Sequence, residues 1–146
     1  MNGNKISTLD PKLQPLAREF IARGDLYLAK DPLWKDYHLL ITEAKRDIYL
    51  QAGLYSQGRV WNKVQRHWLE IDRGTIVTRT LESKHLQGLA FDVCLSKISN
   101  PAYWPDPKTV DGKALWIGLG NIAVSLGMQS GAFWPEGKED WDHYEI

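Results

Sequence analysis

Ser83-Lys84-His85-Leu86-Gln87-Gly88-Leu89-Ala90-Phe91-Asp92 and the closing stretch Asp140-Trp141-Asp142-His143-Tyr144-Glu145-Ile146 decide the reading of this 146-residue chain. Asp92 interrupts Leu89-Ala90-Phe91-Asp92-Val93-Cys94-Leu95, an apolar run of strand length. A carboxylate in such a run needs a partner, because an unpaired buried charge is costly and tends to neutralise. A bound cation is one such partner. Catalytic zinc takes three protein ligands from His, Cys and carboxylate and keeps a fourth position for water, and His85, Asp92 and His143 form a set of that kind. Gly88 fits a sharp change of direction between the loop of His85 and the strand of Asp92, which lets ligands seven residues apart converge.

The length suits one domain with a real core. Hydrophobic residues at 43% and charged residues at 25% are ordinary globular values. Lys+Arg 18 against Asp+Glu 18 leaves no net charge, which removes the electrostatic footprint of a nucleic-acid binder. Met1 to Thr8 has no apolar signal region and no run of membrane-spanning length occurs, so the sequence predicts a soluble product made in the cytoplasm. The single cysteine, Cys94, excludes an internal disulfide framework; it shares a strand face with Asp92, as a buried apolar filler or as a thiol facing the metal.

Working outward, Asp10-Pro11 predicts a helix start, with Leu13, Leu16, Ala17, Phe20 and Ile21 at helical spacing and Gly24 closing it. Tyr37 to Thr42 reads as a strand, His38 on it being structural. A helix ends near Leu54-Tyr55-Ser56-Gln57-Gly58-Arg59, and Val60 to Glu70 reads as a further helix packing Trp61 and Trp68 on the domain. Thr75 to Thr78 predicts a strand leading to Ser83. Residues 96 to 113 form a long Pro-rich loop, and a helix spans about Gly112 to Leu126. In the closing stretch Trp141, His143 and Glu145 share one strand face. Asp140 then requires a bend to reach the site of His143.

The pattern Ser83-x-His85-x-x-Gly88-x-Ala90-x-Asp92 followed by Asp140-x-x-His143-Tyr144-Glu145 resembles the signature of the zinc D,D- and L,D-peptidases of peptidoglycan. That family holds the VanX- and VanY-type enzymes and the phage L-alanyl-D-glutamate endopeptidases. Arg46, Gln51 and the tail Leu54 to Arg59 match as well, and Ser130-Gly131-Ala132-Phe133-Trp134 matches in part. The small turn residues usual before the arginine are replaced here by Glu43, Ala44 and Lys45, and the Val60 to Glu70 segment looks like an insertion.

The resemblance implies an α+β fold of the Hedgehog/D,D-peptidase type, a small, mainly antiparallel sheet flanked by helices. It implies a single domain over 1–146 without a separate wall-binding module. One zinc ion on His85, Asp92 and His143 is implied, with Asp140 as general base and Arg46, Ser83 and Gln51 toward the substrate. Glu139 and Asp142 are the alternatives to Asp140 if the bend differs. Local chemistry alone leaves Ser83 between turn former and substrate contact, and Arg46 between a solvated arginine and a fork for a substrate carboxylate. The activity implied is a peptidoglycan endolysin's, cutting the stem peptide at L-alanyl-D-glutamate. The rivals are a D-alanyl-D-alanine carboxypeptidase or dipeptidase of the same family, and a non-catalytic zinc-bound interaction domain. The expected partner is the stem peptide, with neither nucleic acid nor membrane insertion, and the chain a monomer. It would be made in the infected host's cytoplasm and reach the wall through a membrane opened by another protein.

Overall fold

The computed structural model describes residues 2–73, 76 and 83–146, so the strand expected at Thr75 to Thr78 lies, but for Ile76, outside the described residues. The centre is strand β4 (Ala90–Lys97), which has neighbours along both edges. One edge carries β1 (His38–Glu43), with Leu39 opposite Leu95 and Ile41 opposite Val93. The other edge is shared by β7 (His143–Glu145) beside Ala90 to Asp92 and β5 (Asn100–Tyr103) beside Leu95 to Lys97. A short β6 (Gln129–Ser130) completes the sheet on β7, and every pairing is antiparallel. The fold is therefore α+β, as expected.

Side chains alternate across a strand, so β4 divides its duties by parity. Phe91, Val93 and Leu95 enter the hydrophobic core, whereas Asp92 faces the other way. Leu39 and Ile41 of β1 and Tyr144 of β7 join the same core. Helix α1 (Gly3–Ile6) contributes Ile6, and α2 (Gln14–Ala29) contributes Ala17, Phe20 and Leu28. Helix α4 (Val110–Ser125) contributes Leu115, Trp116, Leu119 and Ala123, and starts with the Thr109 hydroxyl accepting from Gly112 N–H. Burying side chains of that size stabilises by roughly 1.5–3 kcal/mol each, so this face holds the sheet and helices together.

The structure departs from the sequence reading in places. Helix α2 starts after Leu13, with Pro15 in its first turn, because proline is tolerated there; it runs through Gly24 rather than stopping at it. A Cβ on Gly24 would come within 2.2 Å of Leu39, so that glycine lets helix and sheet approach. Val60 to Glu70 is a hairpin, β2 (Arg59–Asn62) with β3 (His67–Glu70), and not a helix. The Asn62 carboxamide oxygen accepts from Val64 and Gln65 N–H and Arg66 takes a positive φ of 57°, which turn the chain; Trp61 and Trp68 then pair across the strands. The expected 96–113 loop is partly strand, for a turn at Ile98-Ser99 returns it as β5, whose Pro101 is tolerated at a sheet edge.

Tyr144 lies between Phe20 and Phe91, ring centres 4.4 and 5.7 Å away, and is fully buried. Burial pushes its phenol well above the ordinary value, and among the described residues its hydroxyl has no hydrogen-bond partner. A buried unsatisfied polar group costs about 1–3 kcal/mol. Tyr144→Phe is expected to leave stability unchanged or raise it by about 1 kcal/mol, read from the midpoint of urea unfolding. A clear loss would show that the hydroxyl is satisfied.

Candidate active site

The site is built on the face of β4 opposite the core. Ser83 accepts a hydrogen bond from His85 N–H at 3.2 Å and opens a 3-10 turn over Lys84–Gln87. Gly88 ends that turn at φ 71°, where an added Cβ would meet Asp10 N at 2.8 Å. Only glycine adopts this backbone and this closeness without strain. The reversal folds His85 back over the start of β4, bringing its Nε2 to 3.3 Å from Asp92 Oδ1. The β4–β7 register sets His143 directly opposite Asp92, with Nδ1 2.9 Å from the same oxygen.

One donor atom from each of His85, Asp92 and His143 lies within 4.8 Å of the others. Tetrahedral zinc with bonds of about 2.0–2.1 Å places its ligand atoms about 3.3 Å apart, so the set fits such an ion. Both imidazoles are oriented from behind. His85 Nδ1 is 2.7 Å from the Ala44 carbonyl, which fixes the proton there and leaves Nε2 as the ligand atom. His143 Nε2 is 2.9 Å from Glu145 Oε2, which leaves Nδ1 toward the site. Glu145 in turn pairs with Lys84, whose Nζ also donates to the Ile146 carbonyl at 2.7 Å.

Electrostatics agree with this arrangement. Burial alone would raise the Asp92 carboxyl, but hydrogen bonds from His143 and His85 outweigh it and hold the group at about 2. For His143, burial opposes the charge, yet hydrogen bonds to Asp92 and Glu145 prevail and bring it to about 9. Glu145 is held below its ordinary value, chiefly by its hydrogen bond with His143.

Asp140 reaches the site through the bend that the sequence required. His143 N–H donates to the Asp140 carbonyl at 3.2 Å, so Trp141 and Asp142 lie in a turn and the strand face of His143 is shared with Glu145 alone. Asp140 Oδ2 is 4.0 Å from His143 Nδ1, with the side chain half exposed. Gly131 seats it: Asp140 N–H donates to the Gly131 carbonyl, and a Cβ on Gly131 would come within 2.2 Å of the Asp140 carbonyl oxygen. Of the two alternatives, Asp142 accepts from the Trp104 indole N–H at 2.9 Å and is pushed up to about 7, first by burial and then by Asp92 and Asp140. Glu139 lines a cavity beside Asp140.

Arg46 precedes helix α3 (Ile48–Ser56), which Asp47 caps by accepting from Leu50 N–H. Its backbone N–H donates to the His85 carbonyl, tying it to the site wall. The guanidinium grips both carboxylate oxygens of Glu43 and donates to Gln51 Oε1 at 2.6 Å. That hydrogen bond to Glu43 holds the arginine more firmly charged than usual. Glu43 thus answers the unfavourable position of a cation at a helix N-terminus. Gln51 is fully buried rather than an ordinary exposed helix residue. Cys94 is buried too, its thiol pushed up by burial, and His38 lies exposed outside the site. Sequence reasoning missed Glu43 and Glu145 as supporting residues; the available signal for Glu145 was its i+2 position on the strand of His143.

No family model matches the chain. Over 116 residues it is 34% identical to the peptidoglycan L-alanyl-D-glutamate endopeptidase CwlK of Bacillus subtilis (strain 168), a match covering 77% of this chain and 62% of that protein. The chain thus spans about 62% of the length of this curated relative. The crystal structure of the Serratia marcescens L-Ala D-Glu endopeptidase ChiX has the same fold, with a TM-score of 0.60 over 98% of this chain and 84% of that one at 18% identity. The chain is thus similar in sequence to the first of these peptidases and shares the fold of the second.

Two outcomes are expected for metal binding. In the metal-free protein the His143 pKa is raised from 6.5 to about 9, so its stabilising contribution is full below pH 6.5 and is lost as pH rises through about 9. A cation on Nδ1 must displace that proton, so zinc affinity should rise about tenfold per pH unit through neutrality, with about one proton released per ion. Calorimetry in buffers of different ionisation enthalpy measures this; absence of proton release would contradict it. Glu145→Ala should weaken zinc binding about 10- to 100-fold, the usual effect of losing a group that orients a ligating histidine, as read by competition with a chromophoric chelator.

Proposed function

We propose that the chain is a zinc-dependent peptidoglycan peptidase that hydrolyses the L-alanyl-D-glutamate bond of the stem peptide. The carrying observation is the convergence of His85, Asp92 and His143 beside a half-exposed Asp140 4.0 Å from a ligand atom. The name of the Bacillus subtilis relative supports the choice of bond. His85, Asp92 and His143 would hold the ion, with Ala44 and Glu145 fixing their tautomers. When bound, zinc supplies a Lewis acid for the scissile carbonyl and lowers the pKa of its water toward about 7.

The chain's own residues do the rest. Asp140 accepts a proton from the attacking water as the new C–O bond forms, and delivers it to the amine nitrogen as the C–N bond breaks. Its exposure leaves it open to substrate, whereas Asp142 is engaged by Trp104, which favours Asp140 as the base. Arg46 carries five N–H donors, of which Glu43 and Gln51 engage three. The remaining two are assigned to a substrate oxygen, held in place by those partners. Ser83, whose Oγ accepts from His85 N–H, contributes its hydroxyl proton to the same end. The endolysin role, a monomeric state and passage to the wall through a membrane opened by another protein belong to the same proposal. Among the described residues no helix is long and apolar enough to cross a membrane.

Digestion of purified peptidoglycan by the zinc-loaded protein, followed by mass analysis, is expected to reveal new N-terminal D-glutamate. Asp140→Asn should keep its zinc and lose about 10²- to 10⁴-fold in rate, the range of a positioned acid/base group. Released D-alanine instead would move the assignment to the carboxypeptidase rival. A zinc-loaded protein that binds wall fragments without cutting them, unaffected by Asp140→Asn, would replace the peptidase with an interaction domain.

A further inference from the structure

Next to Asp140 lies a cavity of ≈ 230 Å³ that the hydrolysis above leaves unused. Trp104, Pro105, Pro107 and Trp141 wall it, Trp116 lies at its base, and Glu139, Asp140 and Asp142 bring carboxylates to it. Two of its indole donors are consumed within the wall. Trp116 Nε1–H donates to the Pro105 carbonyl at 2.8 Å and Trp104 Nε1–H to Asp142 Oδ2 at 2.9 Å. Among the described residues no Lys, Arg or His lines the cavity. It therefore presents aromatic faces, proline methylenes and carboxylate oxygens, a surface rich in acceptors and poor in donors.

That chemistry selects its ligand. An anion is repelled, and a neutral amide brings an acceptor for which the carboxylates offer no donor, so that its carbonyl depends on the Trp141 indole N–H. An alkyl chain ending in an ammonium suits every part: the methylenes lie on proline and indole, and the cation meets π faces and carboxylates together. Asp140 borders both this cavity and the metal-ligand set, so an occupant is close to the reacting bond. We propose that the cavity is a specificity subsite for a primary ammonium group of the substrate, one or two residues from the bond that is cut. The proposal rests on the peptidase reading for the reaction, but not for the binding of the cation. Such an ammonium has two sources in a stem peptide, the free chain N-terminus and the side chain of a diamino acid.

The test compares three synthetic peptides with the zinc-loaded protein: L-alanyl-γ-D-glutamyl-L-lysine, its N-acetylated form, and the analogue with norleucine in place of lysine. The analogue that lacks the recognised ammonium should lose about 10- to 100-fold in kcat/KM, the size of a charge-assisted hydrogen bond. Loss with norleucine assigns the side chain, and loss on acetylation assigns the N-terminus. Glu139→Lys, which places a cation at the cavity, should erase the preference, so that the peptide bearing the recognised ammonium falls to the kcat/KM of the analogue that lacks it. Independently of turnover, n-pentylammonium should shift the Trp104 indole N–H resonance in ¹H–¹⁵N spectra, and n-pentanol should not. Equal kcat/KM for all three peptides overturns the proposal. If no peptide is cut, the peptidase reading fails and the n-pentylammonium titration alone decides the subsite: a shift that Glu139→Lys abolishes upholds it, and no shift overturns it.

Discussion

The Asp92 carboxylate on the central strand is the constraint around which the rest is arranged. A charge at that depth survives because two imidazoles share one of its oxygens, His85 at 3.3 Å and His143 at 2.9 Å. Bringing those rings to it dictates the reversal at Gly88, the β4–β7 register and the turn that precedes His143. Its neighbours Phe91 and Val93, pointing the other way, anchor the same strand to α2 and α4. The strand's alternation thereby fastens a polar centre to an apolar foundation without mixing the two.

Around this centre the supporting groups form a graded shell. Ala44 and Glu145 each accept the proton of an imidazole on the side away from the site, so both rings are held with His85 Nε2 and His143 Nδ1 turned toward it. Glu43 and Gln51 do the same for the Arg46 guanidinium, limiting its rotation. Lys84 compensates the Glu145 charge. Little reorganisation is therefore left for the moment of binding, which is what preorganised electrostatics require.

Much of the centre was legible in the sequence because it rests on short-range rules. A carboxylate in an apolar strand and a glycine at a bend each carry a local physical signature, whereas the part of Asp140 came from the resemblance to the peptidoglycan peptidases. Where the reading failed, long-range packing or turn chemistry decided. The 60–70 segment has aromatic and β-branched residues at spacings compatible with helix or hairpin, and Asn62 with the positive φ at Arg66 selected the hairpin. Gly24 looked like a helix end because its use, the near approach of Leu39, involves a residue fifteen positions away. The sequence reading sets Gln51 toward the substrate, and nothing local announces that it is fully buried with its Oε1 accepting from Arg46. Glu145 went unassigned because its role depends on which imidazole nitrogen faces inward.

The parity of β4 and β7 also sets where this chain tolerates insertions. One extra residue within β4 would turn Asp92 into the greasy interior and push Phe91 or Val93 toward water, wrecking chemistry and folding in a single step. An extra residue at the tip of the β2–β3 hairpin, whose strands among the described residues pair only with each other, would lengthen a surface loop and little else. Divergent copies of this chain should accordingly vary in length at that tip while these strands keep their residue count.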